Sequence, residues 1–200
     1  MRQSGKNQKR TIAVLLTGLF MVQQTMGLSV FAASTISGVT NGGSGSFNID
    51  PTTKNNGTGF RHYQDFNLGQ GDVANLNFAD INTFVNLVDN QVVINGIVNS
   101  VRGNGFYNGK AVFISPNGMV VGASGVLNVG SLGVYAPNSV DYKLLKDNPS
   151  AATLAEATEN AANGGAPITI NGKVITAGNV DLVGGQIDIA KNAGIVGGVN

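Results

Sequence analysis

The side chains that could carry out chemistry are few and scattered along the chain. There is one histidine, His62, and there is no cysteine. A protein metal site needs several ligands close together, so a lone histidine beside aromatic residues is expected to pack or to cap a turn. Because no histidine, cysteine and carboxylate residues cluster, the sequence predicts no metal site, no cofactor and no catalytic residue.

Two carboxylates come closest to an enzyme pattern. Asp181 and Asp188 lie on successive predicted strands in VDLVGGQIDIA, where they could be neighbours. Enzymes that cleave polysaccharides use such close carboxylates as acid and base. Here both alternate with apolar residues, as solvent-facing positions of a strand do. We therefore predict that the protein is not an enzyme, and a β-helix polysaccharide-degrading enzyme remains the alternative.

The N-terminus has the three parts of a secretory signal. Residues 1–10 carry four cations and no acid, residues 11–22 form an apolar run, and Val30 and Ala32 are placed for cleavage after Ala32. The apolar run is too short for a membrane span, which needs about 20 residues. We predict a signal peptide at 1–33 and an exported protein, with an uncleaved anchor as the alternative.

The charge of the exported part argues against nucleic acid. Of the twelve Lys and Arg residues, four lie in the signal; eight remain against eleven Asp and Glu, which gives −3. The chain has no basic patch, so it is not expected to bind nucleic acid. The absence of cysteine has two interpretations. It suits a chain that must cross a second membrane in an extended form, or it is simply common among exported bacterial proteins.

Residues 34–80 are predicted to cap one end of a β-structure. Short strands are expected near 35–39 and 46–50, and the densest aromatic cluster follows, with Phe60, Tyr63, Phe66 and Phe78. A β-structure with open ends must cover its terminal backbone edge and its apolar layer. The aromatic residues are therefore expected to pack in this cap. Residues 81–89 fit either a strand or one helical turn.

Beyond the cap the chain repeats a strand, a polar corner and another strand. VVINGIVNS (92–100), FISPNGMVV (113–121) and ITINGKVIT (168–176) share this pattern, and Asn95 and Asn117 occupy the corners of the first two. The step from Asn95 to Asn117 falls within a period of about 20–25 residues, which is typical of a parallel β-helix whose coils bury their apolar face by stacking. The sequence thus predicts an all-β fold with parallel β-helix coils at 81–137 and 167–200.

The turn at 115–118 has two interpretations. Pro116 fixes φ at about −65° and Gly118 accepts a positive φ, so Ser-Pro-Asn-Gly between apolar runs is a strong turn. Taken alone it predicts a hairpin tip, whereas the period favours a corner of a coil. We expect a positive φ at Gly118. Asn117 is expected either to hydrogen-bond within its own turn or to stack on an asparagine one coil away.

Residues 138–166 interrupt the β pattern and predict a helical excursion. Asn138 or Ser139 is the expected N-cap of a first helix. Asn148 and Pro149 would be the N-cap and first residue of a second helix, and Gly164 would follow its C-terminus.

Several segments in order resemble the two-partner secretion (TPS) domain, the N-terminal haemagglutination-activity domain of filamentous haemagglutinin-like adhesins. The family motif N-P-N-G-[I/V/M] stands here as Ser115-Pro116-Asn117-Gly118-Met119, with serine in the first position. HYQDFNLG (62–69), ANLNF (74–78) and KAVFISPNGMVVGASGVLNVGSL (110–132) resemble the leukotoxin-like filamentous adhesin branch. The resemblance covers 34–200, most specifically 60–136, and the second family motif, N-P-N-L, is not present.

The resemblance implies that 34–200 is a right-handed parallel β-helix that acts as the secretion and folding-nucleation domain of a large adhesin, secreted or held at the cell surface. Its partner would be an outer-membrane β-barrel transporter with POTRA domains, and the full-length protein would contact host cells or glycans. Ser115 to Met119 would be the structural and secretion motif. Phe60, Tyr63 and Phe66 would contact the transporter if they do not pack the cap. Further coils are expected after residue 200, and direct glycan binding by this domain is another alternative.

Overall fold

The structure is a computed structural model that describes residues 33–197. The predicted signal peptide lies outside the described residues except for its last position. No helix within 33–197 is long and apolar enough to cross a membrane.

The described chain consists mainly of short strands, which confirms the predicted all-β character. In chain order they are β1 (Thr35–Ile36), β2 (Ser46–Ile49), β3 (Thr53–Asn55), β4 (Thr58–Tyr63), β5 (Phe66–Leu68), β6 (Val73–Asn77), β7 (Thr83–Val88), β8 (Val92–Ile94), β9 (Ile97–Arg102), β10 (Gly105–Phe106), β11 (Lys110–Ile114), β12 (Met119–Val121), β13 (Val126–Val129), β14 (Ser131–Tyr135), β15 (Pro167–Ile170), β16 (Lys173–Thr176), β17 (Val180–Val183), β18 (Gln186–Ile189) and β19 (Gly194–Val196).

These strands form three mainly parallel sheets. The first sheet has the order β1-β5-β8-β12-β15-β18, the second β2-β6-β9-β13-β16-β19, and the third β3-β4-β7-β11-β14-β17. From β4 to β9 and again from β11 to β19, successive strands enter the third, first and second sheet in turn. The pairs β1–β5, β3–β4 and β9–β10 are antiparallel.

The core lies between the three sheets, and alternation along each strand fills it. Ala74, Val98, Leu127 and Val174 occupy matching positions on four neighbouring strands of the second sheet, and all four are fully buried. Successive side chains along a strand point to opposite faces of the sheet, so every second residue points into the core. Residues at matching positions on neighbouring strands therefore stack in a column. The columns of the three sheets meet in one continuous apolar core.

Two helices cover the outer face of the third sheet. They are α1 (Ser139–Asp147) and α2 (Ala151–Glu159), followed by a 3₁₀ turn at Asn160–Asn163, and they lie between β14 and β15. Tyr142, Leu145 and Ala157 pack against outward-facing residues of the sheet, which include Val85 and Val112. The third sheet is therefore apolar on both faces at its centre. This explains why 81–89 had no clear period, and the structure places Thr83–Val88 of this segment in the strand β7.

The predicted helical excursion is confirmed, but two of its predicted ends are wrong. Asn138 is the N-cap of α1 as expected, and its side chain accepts hydrogen bonds from two backbone N–H groups of the first turn. Asn148 ends α1 and does not begin α2; Ser150 is the N-cap of α2 and forms a capping box with Thr153. Gly164 has a φ of −72°, so it is not a left-handed C-terminal residue.

The hairpin interpretation of the turn at 115–118 is wrong. The strand before it, β11, pairs with β7 and β14, whereas the strand after it, β12, pairs with β8 and β15. The two strands thus belong to different sheets, and the turn is a corner between the third and the first sheet.

The predicted equivalence of Asn95 and Asn117 is also wrong. Asn95 lies between β8 and β9, at the corner from the first to the second sheet. The same corner recurs at Gly122 and Asn171, because the backbone N–H of each donates to the preceding strand of the first sheet, at Ile94 and Val121. Each passage through the three sheets has three corners of similar Asn and Gly composition, so a count of residues between corners cannot tell them apart.

Candidate functional site

The corner at Ser115–Gly118 is closed by its own hydrogen bonds. The backbone N–H of Gly118 donates to the carbonyl of Ser115 at 3.1 Å, and the backbone N–H of Asn117 donates to Oγ of Ser115 at 3.0 Å. Ser115 is buried, with 3% of its surface exposed. The serine hydroxyl therefore forms an ST-turn, which gives a physical role to Ser115 at this corner.

The same corner is bonded to the corner that precedes it in the stack. Oγ of Ser115 donates to the carbonyl of Asn90 at 2.8 Å, and Nδ2 of Asn117 donates to the carbonyl of Asp89 at 2.8 Å. The backbone N–H of Asn117 bonds within its own turn, but its side chain does neither of the things expected. That side chain reaches the backbone carbonyl of Asp89, one passage through the three sheets earlier. Met119 follows as the first residue of β12 and is 1% exposed, so its side chain packs in the core.

Gly118 is placed where no other residue fits well. Its φ is +74°, as the sequence predicted. A Cβ at this position would come within 2.0 Å of the carbonyl oxygen of Pro167, on the next strand of the first sheet. Both the backbone conformation and the neighbouring strand therefore require glycine.

Asp89 joins this corner to the helical excursion. Its carboxylate lies 2.9 Å from Nε2 of His62 and 3.0 Å from Nζ of Lys146, and it accepts a hydrogen bond of 2.9 Å from the hydroxyl of Tyr142. Asp89 thus binds β4 on one side and α1 on the other, while its backbone carbonyl holds Asn117. His62 has a partner in this contact with Asp89, and within 33–197 no group of three potential ligands is placed to hold a metal ion.

Burial and hydrogen bonding act in opposite directions on Asp89. Burial by itself raises the pKa of this carboxyl, but the hydrogen bonds from His62, Lys146 and Tyr142 outweigh it and bring the pKa below its ordinary value. A carboxyl whose pKa is lower in the folded protein stabilises the fold above its unfolded pKa of about 3.9. This stabilisation is lost as the pH falls from about 4 through the folded pKa.

We expect Asp89→Asn to be destabilised at neutral pH and to show a shallower loss of stability below pH 4 than the unmodified chain. The reason is that the amide keeps the size of the carboxylate but not its charge. The check is urea unfolding, followed by circular dichroism, at several pH values between 7 and 3. Asp188→Asn is the control, since Asp188 is exposed and is bonded to the side chain of Gln186 on its own strand. Parallel pH curves for Asp89→Asn and the unmodified chain would contradict the prediction.

The three aromatic residues of the predicted cap that are candidates for transporter contact are all buried, but they serve two different cores. Tyr63 and Phe66 lie in the central core, 5.3 Å apart between ring centres, and Phe66 meets Phe113 at 5.4 Å, both edge to face. Phe60 points outward and packs under the helices. They are exposed by 2% or less in the folded chain. Contact of these side chains with a transporter stays a prediction that concerns the chain before it folds.

The two carboxylates considered for catalysis are not neighbours. Asp181 lies on β17 in the third sheet, and Asp188 lies on β18 in the first sheet. Asp181 pairs instead with Lys110 at 3.1 Å. No acid and base pair of the kind that glycoside cleavage uses is formed by these two residues.

Two arrangements were not foreseen from the sequence. One is a ladder of four asparagines on the outer face of the second sheet: Asn48, Asn75, Asn99 and Asn128. Nδ2 of each later asparagine donates to Oδ1 of the asparagine before it, at 3.1 Å, 3.2 Å and 3.2 Å in chain order. The other is a cleft beside α2 that contains Lys110 and Tyr135. Asparagines that recur once per round were a usable signal for the ladder. The cleft had none, because its residues come from separate segments spread along the chain.

No protein-family model, curated protein or solved structure matches the chain.

Proposed function

We propose that residues 34–200 are the secretion and folding-nucleation domain of a large exported filamentous adhesin, and that their three sheets are the faces of a right-handed parallel β-helix. The observation that carries the proposal is the repeated passage of the chain through the third, first and second sheet. Along the third sheet, Thr58 pairs with Thr83 and Thr83 pairs with Lys110, so neighbouring strands are one sequence period apart. Neighbouring parallel strands that are one period apart fit a β-helix in which each coil adds one strand to each sheet. The connection between two parallel strands of one sheet is right-handed in most proteins.

Side-chain hydrogen bonds between successive rounds support a role for one round in the folding of its neighbour. Ser115 and Asn117 donate back to the preceding corner, and the amides of Asn99 and Asn128 donate back to the preceding rung of the ladder. These four side chains therefore find their acceptors on the preceding round, whereas others donate forward, as Nδ2 of Asn86 does to the carbonyl of Val112. In a stacked fold whose stability is a sum of neighbouring interfaces, a folded round acts as the template for its neighbour.

The last strands of the described chain leave apolar side chains exposed. Ile187, Ile189 and Ile195, on β18 and β19, are 43%, 53% and 37% exposed. On β15, one strand further in, Ile168 and Ile170 pair with Ile187 and Ile189 and are fully buried. A further round would cover the exposed residues and pair their strand edges.

The proposed partner is an outer-membrane β-barrel transporter with POTRA domains, which would meet the chain before it folds. In the folded domain, Phe60, Tyr63 and Phe66 are buried and most backbone groups are paired in sheets. In the extended chain these aromatic side chains and backbone groups are accessible. An extended segment can add as a strand to the edge of a partner's sheet. We propose this mode of recognition for residues within 34–136.

The experiment is export of a reporter enzyme in the native host. Fused after residue 200, the reporter is expected in the medium; with 34–136 deleted, it should accumulate in the periplasm because the signal peptide still acts but the transporter finds no ligand. A fusion that carries only residues 1–33 is the control and should also remain periplasmic. Equal amounts of reporter in the medium from the full fusion and the deletion would overturn the proposal.

A further inference from the structure

A cleft of about 310 Å³ lies between the outer face of the third sheet and α2. Its strand side includes Thr58, Thr83, Lys110 and Tyr135, and its helix side includes Leu154 and Thr158. This volume is at the lower end of the range of about 300–1,000 Å³ that is usual for small-molecule sites. The cleft is open to solvent and is separate from the corner described above.

The strand side presents a regular row of polar groups. Thr58, Thr83 and Lys110 are paired positions on β4, β7 and β11, so their side chains follow one another at the strand spacing of about 4.8 Å. Two hydroxyls and an ammonium group therefore line one wall. A hydroxyl both donates and accepts a hydrogen bond, so this wall can serve either kind of ligand group.

Tyr135 brings an aromatic ring to the same wall because Gly133 leaves room for it. A Cβ on Gly133 would come within 2.7 Å of Cε2 of Tyr135 and 3.4 Å of Cε of Lys110. The ring and the lysine stem thus lie across the glycine. Together with Val112 and Leu154, they give the cleft an apolar floor beside its polar wall.

Lys110 is the one charged residue among the described residues that line the cleft, and Asp181 beside it balances its charge. Nζ of Lys110 lies 3.1 Å from Oδ2 of Asp181, and the hydroxyl of Tyr135 lies 3.5 Å from the same atom. The side chain of Lys110 is 38% exposed, so its ammonium group can still reach a ligand. An anionic ligand would have to compete with Asp181 for the lysine, whereas a neutral ligand needs only one of the three N–H donors of the ammonium group.

We propose that this cleft binds a neutral carbohydrate, as one or two sugar rings. A sugar ring has an apolar C–H face that suits Tyr135 and Leu154, and hydroxyls that suit the row of Thr58, Thr83 and Lys110. This activity is independent of the secretion role, since it uses the folded domain and the outer face of the third sheet.

The test is an NMR titration of the chain after export, with methyl hexosides and neutral disaccharides as probes. We expect saturable shifts confined to the amides around Thr83, Lys110 and Tyr135. Ala155→Trp fills the cleft and should weaken binding at least about tenfold. Ala152→Trp is the matched control, because Ala152 is also exposed on α2 but does not line the cleft, and it should bind as the unmodified chain does.

A second variant keeps the test independent of packing on the helix. Lys110→Met retains the stem but not the ammonium group, and binding should again fall at least about tenfold while the folded circular dichroism spectrum is kept. The absence of saturable shifts with every neutral sugar would overturn the proposal. So would equal binding by the two tryptophan variants, or binding of an acidic peptide at the cleft in place of the sugars.

Discussion

Gly118→Ala is expected to lower the free energy of unfolding by about 3–5 kcal/mol, or to prevent folding. Two costs combine at this position. The φ of +74° disfavours any residue with a Cβ, and the added atom would sit 2.0 Å from the backbone oxygen of Pro167. The clash involves backbone and not a flexible side chain, so relief requires β12 and β15 to move apart. Urea unfolding followed by circular dichroism measures the loss.

Gly103→Ala is the control that separates the two costs. Gly103 has a φ of +59°, and no atom of residues 33–197 lies within 4 Å of the place that its Cβ would take, so it carries the conformational cost alone, about 1–2 kcal/mol. Ser115→Ala removes two hydrogen bonds of a buried hydroxyl and is expected to cost about 1–3 kcal/mol, less than Gly118→Ala. If Gly118→Ala were as mild as Gly103→Ala, the close approach of Pro167 would not be a constraint on the corner.

Phe66→Ala is expected to destabilise the domain by about 3–5 kcal/mol, because it removes a fully buried ring that touches Tyr63 and Phe113 edge to face. The cavity would lie at the centre of the core, where three sheets meet and none can collapse freely. The measurement is again the urea midpoint. Phe106→Ala is the control, since Phe106 is 52% exposed, and its effect should stay within about 0.5 kcal/mol.

The same variant distinguishes core packing from transporter recognition. Phe113→Ala removes a ring that is equally buried but lies outside the predicted contact cluster of Phe60, Tyr63 and Phe66. If Phe66 serves only the core, the two variants should lose stability and export of the reporter to a similar degree. A larger loss of export for Phe66→Ala at matched stability would show that the unfolded chain is read at this residue.

The all-β character and the helical interruption could be predicted because each depends on neighbours in sequence. Alternation of apolar residues gives a strand one buried face, and Asn138 caps α1 through the backbone N–H groups of Val140 and Asp141, close by in the chain. The positive φ of Gly118 was predictable for the same reason. The misplaced cap of α2 shows the limit, because Asn148 and Ser150 are both good caps and the capping box with Thr153 favours the second.

Which corner stacks on which was decided only by the tertiary structure. Asn95 and Asn117 have the same local sequence features, yet one joins the first sheet to the second and the other joins the third to the first. Register between rounds is set by side chains that lie one round apart in the chain and fill the same core column. That information is spread over all rounds at once and is not present in any one segment.

By itself, then, the sequence determined the short strands, the polar corners, the glycine at position 118 and the place of the helices, because local backbone preferences and alternation are properties of neighbouring residues. Tertiary structure alone decided that Asp89 joins His62, Tyr142 and Lys146, that Phe60 faces outward while Tyr63 and Phe66 face inward, and that Lys110 meets Asp181 beside a cleft. Some of these contacts join residues that are distant along the chain, as Lys110 and Asp181 are. Others depend on which face of a strand points inward, which the strand's own sequence does not tell when both of its faces are apolar. Only the packing of whole rounds and of the helices against them brings such groups together.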